Sequence, residues 1–173
     1  MPEHRQGTPS AYVTLESFLW RDFCDSAEWR EWARKHALGS AADGVPPQFR
    51  LAMGLQRALR ALELENNGGP ADHGAAAQLN ALIARFKVQP RLSPAGEISV
   101  AAAHLGNSPV ARLLIMAVEA MQSGTWRRFK LCREPTCSAS FYDASKSGTK
   151  IWCSMALCGS RDKMRRLRQR RRG

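Results

Sequence analysis

Four cysteines stand in two spaced pairs near the end of this 173-residue chain, Cys132-x4-Cys137 and Cys153-x4-Cys158. Thiolates are preferred donors of structural zinc, and a tetrahedral ion needs four donors. Each short pair supplies two neighbouring ligands, and the long loop between the pairs lets them converge. The four-residue gaps are longer than the commoner two-residue gaps but remain within the range structural sites use. Two disulfides are the rival reading; the paired spacing and a reducing compartment argue against them. Four cysteines close the shell, and only Glu134 and Asp143 are carboxylates between the first and last ligand. A catalytic zinc keeps a position open for water. The expected cofactor is therefore one structural Zn2+ per chain, held by Cys132, Cys137, Cys153 and Cys158.

The elements around the cysteines must bring the pairs together. Trp126 to Leu131 alternates, with Phe129 and Leu131 on one side and Arg128 and Lys130 on the other, which predicts a strand. Glu134-Pro135-Thr136 reads as a tight turn between the first two ligands. Phe141–Asp143 and Lys150–Trp152 read as paired strands joined by 144–149. Gly159-Ser160 precedes a helix from about Arg161. Knuckle, hairpin and ligands at a helix start make a treble-clef-like zinc finger. Phe141 and Trp152 are expected to shield the thiolates. So small a core needs its metal, which contributes on the order of 10 kcal/mol in structural sites. Met164 and Leu167, three apart, are expected to dock the helix on the module.

Charge is confined to the same segment. Residues 1–125 hold 12 Lys/Arg and 12 Asp/Glu, whereas residues 126–173 hold 14 Lys/Arg against Glu134, Asp143 and Asp162. The whole net charge of +11 lies in the last 48 residues. That asymmetry suggests a neutral body joined to a module that meets a polyanion, either nucleic acid or an anionic membrane surface. A solvated basic tail is the plainer alternative. The candidate phosphate contacts are Arg161, Lys163, Arg165, Arg166 and Arg168 on the helix, with Arg127, Arg128 and Lys130 beside it. RNA binding is a second class, with Tyr142 and Trp152 as stacking platforms. A zinc-scaffolded adaptor for an acidic protein partner is a third.

Residues 131–172 resemble the zinc finger of the bacterial CGNR family. The resemblance is carried by the Cys132/Cys137 pair, Phe141–Asp143, Trp152-Cys153-Ser154-Met155, and Cys158-Gly159-Ser160-Arg161 followed by the basic helix. This chain has Ser160 where the family's name-giving motif has Asn. Serine is also a helix N-cap, so folding is expected to survive; a partner-reading role at that position is put in question. The resemblance implies a DNA-binding, stress-induced transcription regulator whose helical domain senses a small-molecule effector or mediates assembly, for example as a homodimer.

The preceding 1–125 read as a mainly helical domain with one small hairpin. Helical patterns run from Val13 to Leu38, from about Pro47 to Glu65 with Leu51, Leu55, Leu59 and Leu62 on one face, and from about Ala75 to Lys87. A hairpin is expected over Val88–Val100 with its turn at Pro94-Ala95-Gly96. Helix is expected to resume at Ala101–Leu105. Ser108-Pro109 reads as an N-cap and first helical residue of a buried helix to Gln122. Phe18, Trp20, Phe23, Trp29, Trp32 and Cys24 are expected in the core. His4, His36, His73 and His104 lack metal-ligand spacing to one another or to a cysteine. No nucleophile–base pair can be named, so an enzyme is not expected; a pocket at Trp29, Trp32 and His104 would be the one place to look. No run approaches the length of a membrane span, and MPEHRQGTPS lacks an apolar signal core. A cytoplasmic protein with no membrane partner is expected.

Overall fold

The computed structural model describes residues 23–24, 47–103 and 108–172. The expectations on Val13–Leu38 other than Phe23 and Cys24, and those on His4 and His104, lie outside them. The described part is mainly α-helical with two small antiparallel hairpins, as expected.

Helix α1 (Pro47–Asn66) forms the spine. Its leucines at three- and four-residue spacing bury Leu55 and Leu59 fully and Leu51 and Leu62 in part. It stops where Gly68 takes a positive φ of 76° and the Gly69 amide returns to the Leu64 carbonyl at 2.8 Å. A Cβ on Gly69 would lie 2.8 Å from that same carbonyl oxygen, so this close return requires glycine. Helix α2 (His73–Phe86) is capped by the Asp72 carboxylate, which accepts from the Ala75 amide at 2.9 Å. It buries Ala75, Leu79, Leu82 and Phe86.

Strands β1 (Val88–Leu92) and β2 (Ile98–Ala102) pair antiparallel, Val88 with Ala102 and Leu92 with Ile98. The hairpin is thus as expected, but Ala101 and Ala102 complete its ladder and do not begin a helix. Helix α3 (Pro109–Gln122) follows. Val110, Ala111, Leu113, Leu114 and Ala117 are buried in one core with α1 and α2. Ser108 is its N-cap by backbone position, yet its hydroxyl makes no cap bond. Phe23 and Cys24 are buried in this core. Their carbonyls accept from the side chains of Gln56 at 2.7 Å and Arg60 at 2.6 Å.

The cysteine-bearing segment grows out of the same core. Thr125–Arg128 is a short 3-10 turn, not strand, and β3 starts at Phe129 (Phe129–Leu131). Trp126 stacks on Phe129 at 5.8 Å, and Tyr142 meets Phe129 edge-on at 5.1 Å. These rings belong to the cluster formed by the helices. The partner of β3 is β4 (Ser140–Tyr142), in register Phe129↔Tyr142 and Leu131↔Ser140. The expected pairing of Phe141–Asp143 with Lys150–Trp152 is therefore replaced. The reason is local: closing the first ligand pair as a turn brings Ser140 back beside Leu131. A wide helical turn (Met155–Gly159) leads into α4 (Ser160–Arg170). Among the described residues no helix is long and apolar enough to cross a membrane.

Candidate metal centre and basic helix

The first ligand pair sits in the turn between β3 and β4. The Cys132 amide donates to the Ala139 carbonyl at 2.8 Å and the Cys137 amide to the Glu134 carbonyl at 2.9 Å. The second pair brackets the turn into α4. There the Ser154 hydroxyl accepts from the Leu157 amide at 3.3 Å, and its carbonyl receives the amides of Cys158 and Gly159. Ser154, not Ser160, therefore caps this end; Ser160 already has helical backbone angles. The signal for that cap was a serine three residues ahead of Leu157.

The four sulfurs converge to within 4.8 Å of one another. Cys137 Sγ lies 3.6 Å from Cys153 Sγ, and Cys153 Sγ lies 3.7 Å from Cys158 Sγ. A tetrahedral ZnS4 centre with bonds of about 2.3 Å places its sulfurs about 3.8 Å apart. A disulfide would need about 2.05 Å, and all four thiols are unpaired. The donor set thus fits one zinc ion. Burial pushes the Cys153 and Cys158 thiols up from their ordinary value. At Cys137 burial acts the same way but is outweighed by hydrogen bonds from Ala139 and the other cysteines, which hold that thiol lower. The Cys153 amide points to Cys132 Sγ at 3.5 Å. Phe141 and Trp152 pack against the cysteines, of which Cys132 and Cys158 are buried and Cys137 and Cys153 half-buried. When bound, the ion supplies cross-linking between the two pairs.

A second polar centre holds the loop between the pairs. Asp143 is fully buried. Its carboxylate accepts from Lys130 Nζ at 2.8 Å, the Lys150 amide at 2.9 Å and the Ser145 amide at 3.0 Å. Lys130 Nζ also donates to the carbonyls of Gly148 and Lys150. Arg128 donates to the carbonyls of Asp143 and Ser145, both at 2.8 Å. Burial alone would raise the Asp143 carboxyl, but the Lys130 ammonium and the Ser145 and Lys150 donors outweigh it and bring it to about 2. The sequence placed Lys130 and Arg128 among phosphate contacts. The structure buries Lys130 and spends both side chains on this loop.

The end of α1 forms the other wall. Asn67 Nδ2 donates to the Leu131 carbonyl at 2.7 Å and the Ile151 carbonyl at 2.9 Å, tying the two ligand-bearing arms together. Asn66 Nδ2 serves the carbonyls of Trp126 and Phe129 at 2.8 and 2.9 Å. Ser140 donates to the buried Glu63 carboxylate at 2.7 Å, and Arg60 to the Ser138 carbonyl at 2.8 Å. In the sequence, Asn66-Asn67-Gly68-Gly69-Pro70 reads only as the end of a helix. Two amides at a helix end carry no local sign of the carbonyls they will reach.

Helix α4 docks on the module by a polar face. Arg165 donates to both oxygens of the buried Glu134, at 3.1 and 3.0 Å, and also to Asp162. Arg166 pairs with Asp162 at 2.7 Å through its Nε. Met164 and Leu167, expected to dock the helix, are instead 48% and 40% exposed. Arg161, Lys163, Arg166 and Arg168 are exposed, as is Arg127 beside β3. The expected stacking residues are engaged elsewhere: Tyr142 against Phe129, and Trp152 against the cysteines.

Residues 128–171 match the family model described as the CGNR zinc finger. The resemblance read from Leu131 onward thus holds over the whole metal-binding segment. No curated protein matches the chain.

Proposed function

We propose that this protein is a DNA-binding transcription regulator of the stress-response type. In this reading the zinc centre is a scaffold without catalytic duty, and α4 meets the duplex. The observation that carries it is the exposed cationic surface of α4, with Arg161, Lys163, Arg166 and Arg168 displayed and the helix's one carboxylate, Asp162, turned inward. Such a surface exchanges condensed counterions for side chains on the phosphate backbone. Residues 1–125 serve as the sensing or assembly part, for a small-molecule effector or a second copy, and the protein works in the cytoplasm. RNA binding has less support, because Tyr142 and Trp152 are packed against other groups.

The test is a salt titration of duplex DNA binding by the zinc-loaded chain. Six to ten phosphate contacts lower the affinity roughly 10³- to 10⁵-fold between about 50 and 200 mM salt. Replacing Arg161, Lys163, Arg166 and Arg168 together by Gln is expected to flatten that slope by about four ionic contacts. A slope that the quadruple variant leaves unchanged overturns the reading.

A further inference from the structure

The orientation of α4 is inverted relative to what an amphipathic helix usually does. Its polar face, Asp162 and Arg165, is inside against Glu134, and its apolar residues are outside. At about 3.6 residues per turn, Ser160, Met164 and Leu167 fall on one outward line. Arg161 and Arg168 run along one edge of that line, and Lys163 and Arg170 along the other. All four cations are exposed. Burying a charged face and exposing two large apolar side chains costs stability unless the outward line meets something.

The geometry points to the major groove of duplex DNA as the occupant of this line, with Met164 and Leu167 lying against thymine methyl groups. This rests on the DNA-binding reading and adds which face enters and what it reads. A helix of about 10–12 Å diameter fills a groove about 12 Å wide, so its two edges approach the two phosphate strands while its leading line faces the base edges. The two cationic edges suit two anionic strands. Within α4 the leading line carries no hydrogen-bonding side chain beyond Ser160, Arg171 continuing the line just past the helix end, and the apolar feature of the major-groove floor is the thymine methyl. A second copy of α4 would bring cationic edges against cationic edges. Two apolar side chains bury too little area to hold a helix on a lipid surface.

The experiment compares binding of the zinc-loaded full chain to a short alternating dA·dT duplex and to the same duplex with deoxyuridine for thymidine. The two differ only by the methyl groups. Anisotropy is expected to give tighter binding to the thymine duplex, by about fourfold for each methyl buried. Met164→Gln with Leu167→Gln is expected to abolish that ratio, with zinc content confirming the fold. Equal affinities of the unaltered chain for the two duplexes overturn the inference and leave DNA binding standing, as does a ratio the double variant does not change. A dimer that becomes monomer in the double variant assigns the line to a second copy and also overturns it. Failure to bind either duplex removes the DNA reading itself.

Discussion

Arg165 and Glu134, 31 residues apart, bind the basic helix to the first zinc knuckle through two hydrogen bonds of 3.0 and 3.1 Å. Glu134 sits between two zinc ligands and is only 3% exposed, whereas Arg165 remains partly open to solvent. The ion that closes the knuckle therefore also fixes the direction of α4. Arg165 is one of the candidate phosphate contacts, and this pairing makes it the anchor of the others.

Glu134→Gln separates anchoring from charge. It removes a negative charge, so long-range attraction alone would tighten DNA binding. Loss of the anchor instead frees α4 from its fixed direction. The expected outcome is weaker DNA binding with zinc content unchanged. Amide protection along α4, read by hydrogen exchange, is expected to fall about tenfold. Tighter binding would mean that the helix needs no anchor.

Asn67→Ala takes from the carbonyls of Leu131 and Ile151 their shared donor, leaving Ile151 with the Arg133 amide at 3.2 Å. The expected cost is about 1–3 kcal/mol in denaturant unfolding. Because those carbonyls sit on the two arms that carry the ligand pairs, zinc affinity is expected to fall as well, measured by competition with a chromophoric chelator. Unchanged zinc affinity would show that the end of α1 supports the body alone.

Any single Cys→Ser change at 132, 137, 153 or 158 is expected to reduce bound zinc from one per chain toward none, measured by metal analysis. The same change at the buried Cys24, which lies in the helical core, is expected to leave zinc in place. Because burial holds the Cys153 and Cys158 thiols protonated at neutral pH, zinc loading must release protons. Calorimetry in buffers of different ionisation enthalpy reads that release, and affinity is expected to rise with pH.

Asp143 gives a pH prediction with a definite window. Its carboxyl titrates at about 2 in the fold and at about 4 in the unfolded chain. The lowered value means that the stabilisation is complete above about pH 4 and is lost only as pH falls from there toward 2. Asp143→Asn is therefore expected to destabilise by about 2 kcal/mol or more, with the gap constant from pH 8 down to about 5. Unfolding curves across that range check it. A gap that narrows already between pH 7 and 5 would place the titration of Asp143 elsewhere.

The metal ligands were legible because a closed tetrahedral zinc site needs four donors, and one short segment holds four thiols in two pairs. Helices α1, α2 and α3 were legible for a related reason: apolar residues at three- and four-residue spacing, with Gly68 after α1 and Ser108-Pro109 before α3, act over one or two turns. Strand pairing in the finger was not. Lys150–Trp152 alternates like a strand, yet β4 pairs with β3, since the partner of a three-residue strand is settled by which backbone the ligand turn brings near. Lys130 read as a surface cation because a basic side chain in a basic stretch looks solvated. Its burial depends on Asp143, thirteen residues on, and on two carbonyls.

What the sequence determined by itself is the chemistry: four thiolate ligands, a neutral helical part, and an excess of cations after the last cysteine. Those follow from residue type and short-range spacing. What only the tertiary structure decided is direction. Whether Met164 and Leu167 or Asp162 and Arg165 face the module depends on Glu134 being buried beside the incoming helix. A buried carboxylate requires a cation, and Arg165 turns inward to meet it. That requirement sends the apolar residues out.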